Sequence, residues 1–145
     1  MKALIQRVSQ ASVTVDDLVV GEIGAGILLF LGVEKHDSED VALRLLDKVL
    51  RYRVFADEDG KMNKSLADVK GGLLVVSQFT LVAETRKGLR PSFSAGVSPE
   101  YGEKIYSYFL RQAKSRHANV SSGRFGADMK VALLNDGPVT FMLEI

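Results

Sequence analysis

The residues best suited to chemistry stand at the end of an apolar run, where Ser77-Gln78-Phe79-Thr80 follows Leu73-Leu74-Val75-Val76. The four residues bring hydroxyl, amide and aromatic groups together. Beyond a strand end, unpaired backbone N–H groups can bind an oxyanion, and such ends commonly present polar groups to ligands. The segment therefore indicates an oxyanion site, although on pattern alone the simpler interpretation is favoured, that Ser and Thr merely close the strand.

A second candidate is the basic segment Arg86-Lys87-Gly88-Leu89-Arg90. Its cations are suited to contacting phosphates. From the sequence alone, a solvated surface loop is the favoured interpretation.

The third candidate is Asn135-Asp136-Gly137-Pro138, which lies between two strand-like runs, Met129–Leu134 and Val139–Ile145. Asn-Gly or Asp-Gly between β runs is a strong signal for a hairpin. Proline at the next position removes an N–H that the ladder would use. We expect a turn between two strands, with an unusual feature at the proline.

The usual catalytic constellations are missing from the sequence. It contains no cysteine, so a thiolate nucleophile and a cysteine-based zinc site are excluded. It also lacks a Gly-x-Ser-x-Gly elbow, a His-Glu-x-x-His motif and a phosphate-binding Gly-x-x-x-x-Gly-Lys. His36 and His117 have no acidic partner at a telling spacing and are expected at the surface. No metal and no cofactor is predicted.

Length and composition favour one compact domain over residues 1–145, since 46% of the residues are hydrophobic and 26% are charged. The net charge of +1 means that a nucleic-acid partner must be met by a local patch. No apolar run approaches the roughly 20 residues of a membrane span, and the N-terminus lacks the apolar stretch of a secretory signal. Together with the absence of cysteine, these features fit a cytoplasmic location.

The segments around the candidates show either the two-residue period of strands or the 3.6-residue period of helices. Strands are predicted at Ala3–Val15, Leu18–Ile23, Ile27–Leu31 and Leu73–Val76. One amphipathic helix starts after an N-cap at Asp37 or Ser38, and a second starts at Ser98-Pro99. These elements predict an α+β fold, with a largely antiparallel β-sheet or barrel and two main helices.

Taken together, Ser77–Thr80 and Asn135–Phe141 closely resemble the paired signatures of the D-aminoacyl-tRNA deacylase family, of the bacterial and eukaryotic type. The likeness runs along the whole chain, including Ala3–Val8 and Lys87–Phe93. Each motif alone is weak. The two motifs together, in this order and in a chain of this length, are highly specific.

The resemblance implies a homodimeric hydrolase that cleaves the ester between a D-amino acid and the 3′-terminal adenosine of tRNA. In this family the Gly-Pro bond is cis, and the dipeptide enters the partner's active site at the subunit interface. Gly137 and Pro138 would bind the α-amino group through their main-chain carbonyls and exclude an L side chain. Achiral glycine should pass this filter, so glycyl-tRNA is an expected second substrate.

The same resemblance implies roles for the remaining site residues. The segment Ser77–Thr80 would be the catalytic segment, with oxyanion donors from the backbone of Phe79 and Thr80, and Phe79 would also hold the adenosine. Arg7 would orient the Gly-Pro motif, and Met129 would border the adenosine pocket. An aminoacyl ester is already activated, and its 2′-hydroxyl can position or activate water, so no side-chain base is required. A covalent role for the Thr80 hydroxyl is disfavoured, because no evident base lies nearby in sequence.

Two other classes of function stay open at this point. The first alternative is a non-catalytic RNA- or protein-binding domain that uses Arg86, Lys87 and Arg90. The second is a β-rich dimer whose motifs are only structural. Turnover of D-Tyr-tRNA distinguishes the first alternative from the hydrolase. The second alternative predicts that Pro138→Ala changes stability without changing discrimination between D and L substrates.

Overall fold

The computed structural model describes residues 1–94 and 96–145. Its strands are β1 (Lys2–Val15), β2 (Leu18–Ile23), β3 (Gly26–Gly32), β4 (Arg53–Ala56), β5 (Met62–Ser65), β6 (Gly72–Ser77), β7 (Val120–Ser122) and β8 (Lys130–Glu144). Its helices are α1 (Glu39–Arg51), α2 (Leu66–Val69) and α3 (Pro99–Arg116), and a 3-10 turn spans Phe79–Val82. Across the described ranges, no helix has the length and apolar character needed to cross a membrane.

Six strands form one sheet in the order β2-β1-β3-β6-β7, and β8 pairs with β1. Strand β1 is antiparallel to β2, β3 and β8, as the sequence predicts. The pairs β3–β6 and β6–β7 are parallel. A parallel pair needs a long crossover, and the one between β3 and β6 contains α1, the β4–β5 hairpin and α2. The α+β class is confirmed, with a parallel section that sequence periodicity did not reveal.

The sheet curves until its two edges meet. The hydroxyl of Ser121 in β7 donates a hydrogen bond of 2.9 Å to the carbonyl of Glu22 in β2. Gly21 permits this approach, because a Cβ there would lie 2.4 Å from the carbonyl oxygen of Ser122. The strands therefore form a nearly closed barrel.

Apolar side chains fill both faces of the curved sheet. The larger cluster lies between the sheet and helices α1 and α3 and includes Ile5, Leu29, Leu45, Leu73 and Phe109. The smaller cluster lies on the opposite face and includes Val8, Val13, Leu28, Leu74 and Val76. Because β3 and β6 are buried on both faces, their sequences are continuous apolar runs instead of alternating ones.

Both long helices begin where the sequence predicts. The side chain of Ser38 accepts a hydrogen bond from the N–H of Val41, and Ser38 is the N-cap of α1. Ser98 caps α3 in the same way through the N–H of Tyr101, with Pro99 at the first helical position. Each cap satisfies a backbone N–H that has no partner within its own helix.

The predicted hairpin at the C-terminus is wrong. Residues Lys130–Glu144 form the single strand β8, and both halves of this strand pair with β1 in the same direction. Gln6 pairs with Thr140 and Val8 pairs with Asn135, so residues 136–139 bulge out of the ladder. Because Pro138 has no N–H to contribute, leaving the ladder costs fewer hydrogen bonds here than elsewhere. We call residues 136–139 the Gly-Pro bulge.

Candidate active site

A cavity of about 470 Å³ opens at the end of β6. Its walls come from the ends of β3 and β6, the start of α3 and the segment before β8. The lining includes Leu31, Val33, Ser77, Gln78, Phe79, Val97, Ser98, Pro99, Tyr106, Phe125, Met129 and Val131. Most of this lining is apolar, and its polar side chains include those of Ser77, Gln78, Ser98 and Tyr106. A mostly apolar cavity of this size with few polar groups is typical of a site for a small organic ligand.

The parallel pairing of β3 with β6 places the predicted catalytic segment at the cavity. Ser77 is in register with Leu31, and the N–H of Gln78 donates a hydrogen bond of 2.8 Å to the carbonyl of Leu31. The 3-10 turn then begins at Phe79. The first N–H groups of a helical turn have no partner within the turn. The backbone donors of Phe79 and Thr80 are therefore available to an oxyanion.

Thr80 is held by its neighbour in the same motif. The side-chain amide of Gln78 donates a hydrogen bond of 2.5 Å to Oγ1 of Thr80. Thr80 is exposed and does not line the cavity, unlike Ser77, Gln78 and Phe79. This places the Thr80 hydroxyl beside the cavity and in contact with an amide, which is not a base.

The floor of the cavity is fixed by Tyr106, which sequence analysis did not select. Its hydroxyl donates a hydrogen bond of 3.0 Å to the carbonyl of Val75 in β6, and its ring contacts Phe125 with 5.6 Å between the ring centroids. Burial raises the pKa of the Tyr106 phenol above its ordinary value. Tyr106 therefore stays neutral and acts as a hydrogen-bond donor. Its position in the buried face of α3 is the only signal in the sequence.

Met129 lies in the cavity wall. Its sulfur packs over Gly123, where a Cβ would lie only 2.6 Å from Sδ. Glycine at position 123 thus leaves the space that the methionine side chain occupies.

The other predicted site residues gather at a second place, around the Gly-Pro bulge. Nε of Arg7 donates a hydrogen bond of 3.1 Å to the carbonyl of Asp136, and Nη1 donates one of 2.7 Å to the carbonyl of Val54. The guanidinium also lies 3.6 Å from the Asp136 carboxylate. Arg7 therefore ties the bulge to β4.

The base of the bulge is closed by Asn135, the first residue of the third candidate motif. Its Oδ1 accepts a hydrogen bond of 3.2 Å from the N–H of Val139, and its Nδ2 donates one of 3.0 Å to Oγ1 of Thr140. Asparagine is suited to this task, because its amide can accept from one side of the bulge and donate to the other.

Residues 136–138 of the bulge are exposed, and Val139 is half-buried against the core. The Gly137–Pro138 peptide bond is cis. Gly137 has a φ of +130°, a conformation that favours glycine, and a Cβ there would lie 2.8 Å from Cγ2 of Val139. Among the residues that the structure describes, those that line the cavity include none from 135–139. The two predicted motifs therefore do not meet within one chain.

The basic segment forms an exposed loop that is closed at its base. Glu84 and Ser92 exchange two backbone hydrogen bonds of 2.8 and 3.0 Å. Arg86 does not project freely from this loop, because its guanidinium is paired with the Glu84 carboxylate at 2.6 Å. Hydrogen bonds from the Arg86 side chain and its backbone N–H lower the pKa of Glu84 to about 2.

A metal is not suggested by the side chains in the described part of the chain. Residues 1–94 and 96–145 contain no group of three or more His, Asp or Glu side chains placed to bind a metal ion. His117, expected at the surface, is half-buried instead, with Nε2 lying 2.6 Å from the carbonyl of Gly71.

Comparison with known proteins agrees with this architecture. The family model described as D-Tyr-tRNA(Tyr) deacylase matches residues 4–144. The D-aminoacyl-tRNA deacylase of Teredinibacter turnerae is 58% identical over 144 residues, 99% of either chain. That of Cellvibrio japonicus is 59% identical over 145 residues, which cover 100% of this chain and 99% of the relative. A solved structure titled c-Myc DNA Unwinding Element Binding Protein has a TM-score of 0.95 and 40% identity, and the match covers 100% of this chain and 99% of that one.

The family match over the whole barrel and the curated relatives identify the chain as a hydrolase. It belongs to the D-Tyr-tRNA(Tyr) deacylase family.

Proposed function

We propose that this chain hydrolyses the ester between a D-amino acid and the 3′-terminal adenosine of tRNA, as a cytoplasmic homodimer that acts in chiral proofreading. The observation that carries the proposal is the polar strand end Ser77–Thr80 at the mouth of an apolar cavity, in a chain that belongs to this family. No cofactor is required by the proposed chemistry.

The cavity supplies a suitable surface for the terminal adenosine. Phe79 and Phe125 offer aromatic faces on which a base can stack, and Met129 supplies a polarisable apolar contact. Ser77 and Gln78 lie at the same opening and supply polar contacts for the ribose and the ester.

Hydrolysis then depends on position and on hydrogen-bond donors. The ester carbonyl lies against the N–H groups of Phe79 and Thr80, which stabilise the oxyanion as water attacks. The neighbouring 2′-hydroxyl of the ribose orients or activates that water. The substrate thus supplies the group that orients the water, and the protein supplies fixed geometry.

Selection of the D-amino acid is assigned to the Gly-Pro bulge of a second copy. Within one chain the exposed bulge lies outside the cavity, so a partner subunit is the proposed source of the bulge at each site. Strand β8 also presents large exposed apolar side chains, namely Leu134, Phe141 and Met142, which supports an interface on this strand.

In the assembled site the main-chain carbonyls of Gly137 and Pro138 bind the α-amino group. An L side chain then points at the rigid bulge and is excluded, whereas a D side chain points away from it. Glycine has no side chain to exclude, so glycyl-tRNA is the proposed second substrate.

A complementation experiment tests the sharing of sites between subunits. Phe79→Ala removes the cavity wall, and Gly137→Leu obstructs the bulge; each homodimer is expected to lose activity. In a copurified heterodimer of the two variants, one site combines a normal cavity with a normal bulge, so D-Tyr-tRNA hydrolysis should return. Heterodimers as inactive as both parents would show that each chain uses its own bulge. Circular dichroism and gel filtration check that both variants fold and dimerise.

A further inference from the structure

Two exposed aromatic rings stand side by side at the mouth of the cavity. Phe79 is 66% exposed and Phe93 is 43% exposed. Their ring centroids lie 5.0 Å apart with an interplanar angle of 49°. Phe79 lines the cavity, whereas Phe93 is not part of the cavity lining. Contiguous exposed apolar surface rimmed by polar residues is a mark of binding sites.

Phe93 directly follows the loop that carries the basic residues. The backbone pair between Glu84 and Ser92 closes this loop immediately before Phe93. At the tip, Gly88 has a φ of +69°, which allows a tight reversal of the chain. The closed base fixes the loop beside the two rings.

The loop cations differ in their partners. Arg86 is engaged by Glu84, so its charge is largely balanced within the loop. Lys87 and Arg90 are exposed, and the ion pairs among the described residues include neither of them. Lys87 and Arg90 therefore carry the positive charge that the loop offers to a ligand.

An exposed aromatic ring next to unbalanced cations is the pattern by which proteins bind single-stranded nucleic acid, where rings stack on bases and cations contact phosphates. We propose that Phe93, Lys87 and Arg90 bind the unpaired nucleotides of tRNA that precede the terminal adenosine. Phe93 stacks on the base next to the adenosine, and Lys87 and Arg90 contact the phosphates. This proposal rests on the proposed function, which places the terminal adenosine on Phe79.

The competing role for Phe93 is to support Phe79 by packing. Activity on a small substrate distinguishes the two roles. D-tyrosyl-adenosine contains the ester and the terminal nucleoside but no preceding nucleotide and no phosphate. A packing role affects this substrate and D-Tyr-tRNA equally, whereas a binding role affects D-Tyr-tRNA alone.

The experiment measures kcat/KM for both substrates with Phe93→Leu, Phe93→Tyr and the double variant Lys87→Ala/Arg90→Ala. Leucine keeps an apolar contact to Phe79 but cannot stack on a base, so activity on D-Tyr-tRNA should fall on the order of tenfold. Activity on D-tyrosyl-adenosine should stay unchanged, and tyrosine should restore the wild-type value. The matched control is Arg44→Ala, which removes an exposed cation from α1 and should change neither.

Salt dependence tests the phosphate contacts separately. If Lys87 and Arg90 each contact one phosphate, their double variant lowers the slope of log kcat/KM against log salt concentration by about 1.4, the value for two contacts on a single strand. An unchanged slope, or an equal loss on both substrates in Phe93→Leu, would overturn the proposal. Wild-type protein that cleaves neither substrate would refute the proposed function itself. Equal kcat/KM of the wild type for both substrates would support the proposed function but would contradict a second binding surface for the preceding nucleotides.

Discussion

The side-chain amide of Gln78 donates a hydrogen bond to the hydroxyl oxygen of Thr80 at 2.5 Å. An amide cannot take up the proton of that hydroxyl, so this contact positions Thr80 without activating it as a nucleophile. In the proposed mechanism Gln78 and Thr80 therefore shape the strand end, and the backbone and the substrate carry the chemistry.

The first prediction concerns Thr80→Ala. We expect kcat on D-Tyr-tRNA to fall less than about tenfold, because the backbone donors at Phe79 and Thr80 remain and one neutral hydrogen bond contributes about 1 kcal/mol. Single-turnover kinetics measure the change, and acid quenching followed by mass spectrometry looks for an acyl-enzyme. Near-complete loss of activity together with a trapped acyl-Thr80 in the wild type would favour the nucleophile.

The second prediction concerns Arg7, which connects the Gly-Pro bulge to β4. Its guanidinium donates hydrogen bonds to the carbonyls of Asp136 in the bulge and Val54 in β4. A single ammonium cannot bridge both carbonyls, so Arg7→Lys should lower the free energy of unfolding by about 2 kcal/mol. A less rigid bulge excludes L side chains less well. The ratio of kcat/KM for D-Tyr-tRNA over L-Tyr-tRNA should therefore fall about tenfold, which is about 1.4 kcal/mol of discrimination.

The control for Arg7 lies on the same strand. Lys2 makes only long, partly exposed ion pairs of 3.9 and 3.8 Å with Glu34 and Glu144. Lys2→Met should change stability by less than about 1 kcal/mol and should leave the D to L ratio unchanged. A normal ratio in Arg7→Lys, with the expected loss of stability, would limit Arg7 to a structural role.

The third prediction is a pH dependence at the basic loop. Hydrogen bonds from Arg86 lower the pKa of Glu84 from its ordinary 4.5 to about 2. A lowered pKa in the folded state means that the stabilisation of the loop is present above pH 4.5 and is lost as the pH falls toward 2. Carboxyl chemical shifts of Glu84 should show this titration, and Arg86→Gln should return the midpoint toward 4.5. A midpoint near 4.5 in the wild type would mean that the pair does not persist in solution.

The fourth prediction concerns the α-ammonium of Met1. It is buried and lies 2.7 Å from the Asp37 carboxylate, which is itself 6% exposed, and 2.6 Å from that of Glu34. Asp37→Asn leaves the ammonium with one partly exposed partner, so the free energy of unfolding should fall by about 3 kcal/mol. Asp40→Asn, at the exposed end of a 3.9 Å pair with Arg44, is the control and should cost less than about 0.5 kcal/mol.

Asp37 is also connected to the proposed active site through Tyr101, because the Tyr101 hydroxyl donates a hydrogen bond of 2.7 Å to the carbonyl of Asp37. Tyr101 lies in the first turn of α3, next to the cavity wall at Ser98 and Pro99. We therefore expect Asp37→Asn to raise KM as well. Urea unfolding at pH 7 that is unchanged by this substitution would contradict the importance of the ion pair.

The fifth prediction concerns glycine. If the bulge selects by exclusion, as proposed, glycyl-tRNA should be hydrolysed within about tenfold of the rate for D-Tyr-tRNA, whereas L-alanyl-tRNA should not be hydrolysed. The comparison isolates one methyl group of L configuration. Resistance of glycyl-tRNA would indicate that the site requires contacts to a D side chain and not merely the absence of an L one.

Local features of this fold could be predicted from the sequence, and features set by distant pairing could not. The caps at Ser38 and Ser98 depend on hydrogen bonds to residues three positions away, so residue types placed the second cap and narrowed the first to Asp37 or Ser38. The sequence predicts a hairpin in place of the single strand β8, because Asp-Gly favours a turn. The decision between a turn and a bulge depends on β1, which is more than a hundred residues away.

The candidate site shows the same limit. Ser77–Thr80 could be selected because their polar groups end an apolar run. Tyr106 reaches the cavity through the packing of α3 against the sheet, and Phe125 reaches it from the segment between β7 and β8 by contact with Tyr106. No spacing in the sequence expresses either contact. Phe93 was part of the family likeness, but its contact with Phe79 follows from the fold of the intervening loop.

The most direct test compares D-Tyr-tRNA with L-Tyr-tRNA as substrates of the purified protein, by following the release of labelled tyrosine from each. We predict multiple turnovers with D-Tyr-tRNA and a rate no higher than that of buffer with L-Tyr-tRNA. No release from D-Tyr-tRNA above buffer, or equal release from both, would contradict the account.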